Sequence, residues 1–83
     1  MKLQVLQLTI VSPERVLYEG QVEHAMFPGT LGSFSVFPEH APLISSLNKG
    51  KISYFTDGKL ESLEINSGFV EVKDDNISVC IEQ

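Results

Sequence analysis

The chain has 83 residues, enough for one domain that hides about 60–65% of the surface its unfolded form exposes. Six Lys and Arg stand against eleven Asp and Glu, for a formal charge of -5, and the basic residues Lys2, Arg15, Lys49, Lys51, Lys59 and Lys73 are scattered. That excludes the cationic stripe a nucleic-acid binder needs; a single cysteine, Cys80, excludes an internal disulfide.

Period-two alternation, the mark of half-buried strands, runs through the chain in order. The start M-K-L-Q-V-L-Q-L lacks the long apolar region and small-residue cleavage site of a secretory signal. No apolar run approaches the roughly 18 residues that span a bilayer, so a soluble protein is expected. Leu6, Leu8 and Ile10 share a face until Ser12-Pro13 breaks the pattern. Val22, His24 and Met26 then alternate with Gln21, Glu23 and Ala25, and Pro28-Gly29 is expected to stop that strand. Phe34 and Val36 alternate with Ser33 and Ser35.

The run F-P-E-H-A-P-L, residues 37–43, is different in kind. Pro38 and Pro42 hold the residues before them, Phe37 and Ala41, in extended conformations and exclude regular helix between them. It reads as a rigid, partly apolar hook. Helix is expected at most as a single turn, as around Ser45–Lys49. Ile52 and Tyr54 resume the alternation up to Thr56-Asp57-Gly58-Lys59, a hairpin signal because both central residues of a type I′ turn need positive φ. Leu63 and Ile65 follow, then a turn at Ser67-Gly68, Val70 and Val72, a turn at Asp74-Asp75-Asn76, and finally Ile77, Val79 and Ile81. Turn signals roughly every eight to twelve residues, with no helical crossovers, predict an all-β fold: an antiparallel β-sandwich or flattened barrel. Residues 1–83 form one domain, without linker or repeat.

Four apolar residues, Val5, Phe27, Phe55 and Phe69, fall out of phase with their neighbours. Twist and bulges can bring such residues into the core; alternatively they build an outer patch that another protein covers.

Reactive chemistry finds no support. His40 would need an orienting carboxylate and a nucleophile, but adjacent Glu39 points the opposite way in extended chain. Ser45 and Ser46 lack a nucleophile elbow. His24, His40 and Cys80 show no metal-ligand spacing; His24 reads as a strand residue with a partly covered ring, His40 as a residue whose hydrogen bonds hold its loop. Pro28-Gly29-Thr30-Leu31-Gly32 matches no phosphate-binding pattern. Asp57, Asp74 and Asp75 read as solvated turn residues. No catalytic residue, metal or cofactor is expected, and by elimination the chain is a binding or structural module. A free-standing β-sandwich that recognises a small ligand or glycan is one such module, although no tryptophan and only two tyrosines weaken a sugar-stacking site.

The run P-G-T-L-G-S-F-S-V-F-P-E-H-A-P-L-I-S-S-L-N-K-G-K-I, residues 28–52, resembles the epsilon subunit of F-type ATP synthases. Gly29, Gly32, Phe34, Val36, Pro38, His40, Ala41, Pro42, Leu43, Gly50 and Ile52 fall in register with that family's pattern. The opening L-T-I-V-S-P-E-R-V-L-Y-E-G and the closing S-G-F-V-E-V-K-D-D-N-I-S-V resemble its first and last hairpins. The resemblance implies a sandwich of about ten short strands and a place in the central stalk of the rotary motor. Two partners are implied, the gamma subunit and the c-ring of the membrane sector, and with them a role in coupling proton translocation to ATP synthesis. It further implies a peripheral location on the cytoplasmic face of the bacterial inner membrane, reached only through the complex. Pro38, His40, Ala41, Pro42 and Leu43 would then face gamma, and the turn at Gly29 and Gly32 would face the c-ring. Ser35 departs from the family's usual glycine, and Ser33 from the acidic residue of some relatives. Relatives commonly continue into a helical hairpin that inhibits hydrolysis and in some cases binds ATP; with the sequence ending at Gln83, neither function is expected.

Overall fold

Alternation becomes strand geometry along nearly all of residues 5–83, the part of the chain described by the structure, a computed structural model. The strands are β1 (Leu6–Val11), β2 (Val16–Val22), β3 (His24–Gly29), β4 (Gly32–Val36), β5 (Leu43–Leu47), β6 (Gly50–Thr56), β7 (Lys59–Ile65), β8 (Ser67–Lys73) and β9 (Asn76–Glu82). No helix forms among the described residues. The segment around Ser45–Lys49, where a helical turn was admissible, instead completes β5 and its exit: Leu43 to Leu47 pair residue by residue with β8. Tertiary pairing overrides the weak local preference.

The strands form one sheet in the order β2-β1-β9-β8-β5-β3-β6-β7, with β4 paired to β3 off this path. The sheet folds over where β5 and β3 meet, since a single residue pair, Gly29 with Leu47, joins them. One layer is therefore β2-β1-β9-β8-β5 and the other β4-β3-β6-β7. The far side of the fold is tied by the Tyr18 ring on Tyr54, with centroids 4.5 Å apart. Two bonds reinforce it: Thr56 Oγ1 donates to the Gln21 carbonyl at 3.0 Å, and the Glu23 N–H to the Phe55 carbonyl at 2.8 Å. This is the expected sandwich, with nine strands among the described residues where about ten were expected. One pair, β1 with β9, is parallel. The first and last strands meet only after the whole chain has wound round, so no hairpin forces them antiparallel.

Inward residues from both layers meet in one core. Leu6, Leu8, Ile10, Val22, Ala25, Phe27, Val36, Ile52, Val70, Val72, Ile77 and Val79 are all at most 1% exposed. A buried side chain of this size contributes about 1.5–3 kcal/mol by leaving water.

The expected alternation slips once, at Glu23, which separates β2 from β3. Val22 stays in the core, but His24 and Met26 pass to the outer face, while Ala25 and Phe27 turn in. Phe27 is accordingly a core residue, packed against the Phe34 ring at 5.6 Å, and not part of an outer patch. Pro28 does not end β3 as expected. It falls in the gap between the pairing of β3 with β6, which ends at Met26, and with β5, at Gly29, a place where a missing donor breaks no ladder on that side. Likewise Ser67-Gly68 opens β8, and the turn lies one residue earlier, at Asn66, whose N–H donates to the Glu82 carbonyl.

Candidate docking surface

Phe37–Pro42 connect β4 to β5 as a ledge at one end of the sandwich. The His40 N–H donates to the Phe37 carbonyl at 3.2 Å, closing a turn with Pro38 second and Glu39 third. Glu39 has φ 67, so the turn follows the type II pattern of proline then positive φ. His40 Nδ1 donates to the Ala41 carbonyl at 2.6 Å, which puts the ring proton on Nδ1. His40 thus holds its own loop. The Glu39 N–H donates to Asp75 Oδ1, 2.6 Å away in the β8–β9 turn. Ala41 and Pro42 are exposed, while Pro38, His40 and Leu43 are half-buried. Pro38, His40, Ala41 and Pro42 thus follow one another along the braced connection, while Leu43 opens β5 and packs against the core.

A row of rings continues from the ledge across the outer face of the second layer. The Phe37 ring stacks on His24 at 5.1 Å, and His24 on Phe55 at 5.4 Å with planes 8° apart. Pairing of Phe55 with Leu60 extends the row to the edge strand β7. Phe37 and Leu60 are 55% and 57% exposed. Val5, at the start of the described chain, lines the same recess with His24, Phe37 and Pro38. Of the four residues read as an outer patch, then, Val5 and Phe55 belong to this surface, and Phe27 does not. Phe69 is exposed too, but on the other layer, where pairing aligns it with Cys80 and Val11. The sequence reading missed Phe37, His24 and Leu60 as surface partners. The signal was the phase break at Glu23, which a strand read straight through it hides.

The turn at Gly29 and Gly32 lies at the opposite end. The two glycines pair with each other, closing the β3–β4 hairpin. A Cβ on Gly29 would sit 2.7 Å from the Gly32 carbonyl and 2.9 Å from the Phe34 ring, and Gly32 has φ 132. Both positions need glycine. Leu31 at the tip is wholly exposed. The turn is tied to β5 through the Thr30 N–H, which donates to the Ser46 carbonyl at 3.1 Å. Ledge and turn thus stand at the two ends of β5, separated by roughly 15 Å of strand at about 3.3 Å per residue.

Fold and surface define a class: a small all-β sandwich with a proline-braced ledge at one end and a glycine hairpin at the other. The family follows from direct comparison. Residues 5–83 match the family described as ATP synthase, Delta/Epsilon chain, beta-sandwich domain, and the chain belongs to it. The ATP synthase epsilon chain of Leptospira interrogans serovar copenhageni is 40% identical over 74 residues, covering 89% of this chain and 58% of that protein. That of Nitratiruptor is 41% identical over 81 residues, covering 96% and 63%. The chain therefore spans somewhat over half the length of these relatives. Among solved structures, a chain of the Euglena gracilis mitochondrial ATP synthase (OSCP/F1/c-ring) superposes with TM-score 0.91 at 18% identity, covering 98% of this chain and 52% of that one. A chain of the Tetrahymena thermophila mitochondrial ATP synthase central stalk and c-ring gives TM-score 0.80 at 13% identity, covering 100% and 67%. At those identities the likeness speaks for the fold.

Proposed function

We propose that this domain is a non-catalytic rotor element of a bacterial F-type ATP synthase, docked on the gamma subunit through the Pro38–Leu43 ledge. The observation that carries the reading is the ledge itself, whose shape is fixed by two prolines and by hydrogen bonds at Glu39 and His40. A surface ordered before it meets its partner loses little entropy on binding. The opposite end, with Gly29 and Gly32 in the hairpin, faces the c-ring. The two contact ends, joined through one apolar core, let a stiff sandwich hold gamma and ring together while torque passes, coupling proton translocation to ATP synthesis. Bacterial relatives support a peripheral place on the cytoplasmic face of the inner membrane, held by the complex.

Titration against purified gamma tests the reading. Ala41→Asp and Pro42→Asp place a charge on exposed ledge positions and are expected to weaken binding by roughly 2–4 kcal/mol, the effect of disrupting a central anchor. Unchanged affinity in both variants would exclude the ledge, and failure to co-purify with gamma at all would exclude the rotor role.

A further inference from the structure

We infer that Asp75, in the turn between β8 and β9, is a positioning residue that sets the ledge in its docking shape; the inference rests on the ledge being the docking face. The prolines leave a gap in their own bracing. Pro38 and Pro42 have fixed φ, and Phe37 and Ala41 are restricted as the residues that precede them. Of residues 37–42, only Glu39 and His40 escape both constraints. His40 is held locally, by the Phe37 carbonyl and through its own ring to the Ala41 carbonyl. Glu39 is the weak point, since its φ of 67 is a left-handed conformation that L residues seldom adopt.

At that residue the Asp75 carboxylate accepts the Glu39 N–H at 2.6 Å, a short bond of the charge-assisted kind. Asp75 is itself anchored. Its carbonyl accepts the Gln7 N–H of β1 at 2.9 Å, and the Asn76 side-chain amide donates to the neighbouring Asp74 carbonyl at 3.0 Å. One residue therefore ties β1, the β8–β9 turn and the ledge together. A ledge released from it spreads over several shapes, and the apparent affinity for gamma falls by the fraction still competent to dock.

The test uses two substitutions. Asp75→Gly keeps a residue that tolerates the φ of 61 at this position and deletes the acceptor; Asp75→Asn restores an acceptor oxygen. Amide hydrogen exchange on the free chain is expected to be at least about tenfold faster at Glu39 in Asp75→Gly, consistent with loss of a local restraint. Gln7, bonded to the backbone of residue 75, keeps its protection and reports that the turn remains folded. Affinity for purified gamma is expected to fall about five- to tenfold, mostly in the association rate, and Asp75→Asn should restore both readouts. If the Glu39 amide of the parent chain exchanges as fast as that of Asp75→Gly, the positioning role is overturned. Faster exchange with unaltered affinity would overturn the positioning role in docking while leaving the ledge itself to the Ala41→Asp and Pro42→Asp titrations.

Discussion

Tyr54 reports the closure of the sandwich from a single ring. It lies against Tyr18 on the side of the sandwich away from the fold-over, and burial raises its pKa, with further upward pushes from the Tyr18 phenol and the Glu61 carboxylate. The folded state therefore favours the neutral phenol. Its contribution to stability is complete below the ordinary tyrosine value near 10 and is lost as pH climbs through the raised value. Tyr54→Phe should accordingly flatten the alkaline decline in stability above about pH 10, read from urea unfolding at several pH values. An identical decline in parent and variant would show that Tyr54 ionisation is not coupled to folding.

Strand β3 shows what one slipped residue does to an element. Because the side-chain period is two, a break of a single residue exchanges the faces of everything beyond it. Phe27 enters the core and His24 joins Phe37 and Phe55 outside. The consequence is measurable by chemical denaturation. Phe27→Ala should cost about 3–5 kcal/mol, a large share of the roughly 4–12 kcal/mol available to a domain of this size. Phe69→Ala, at a side chain that is 47% exposed, should cost no more than about 1 kcal/mol. Comparable losses at the two sites would contradict their assignment to core and surface. The β8–β9 turn carries a related lesson, since Asp74 and Asp75 both hold positive φ, 51 and 61, without a glycine. Only the partners of Asp75 explain why that turn is more than a connection.

At the scale of the molecule, both layers contribute to one core cluster, so neither layer can lose its inner face without exposing the other. Unfolding should then be a single cooperative transition. The near-ultraviolet signal of Tyr18 and Tyr54, which close the side opposite the fold-over, should share its midpoint with the far-ultraviolet signal of the strands. Separate midpoints would mean that the layers part before they unfold. The ledge and the Gly29–Gly32 hairpin stand at opposite ends of β5, so one paired strand of this core connects them.

Much of this was legible in the residues: the alternation defines most strands, Asp57-Gly58 the hairpin with φ 51 and 75, and the two prolines the ledge. The run from Pro28 to Ile52 carried the family. These are local signals, set by backbone sterics within a few positions. Three-dimensional packing alone decided the parallel contact of β1 with β9, the separation of Phe55 from Phe69 onto different layers, and the bond from Asp75 to Glu39. Each depends on residues far apart in the chain, and alternation fixes which residues share a face only up to the next slip. Which strand lies beside which is decided where distant apolar faces find a common interior.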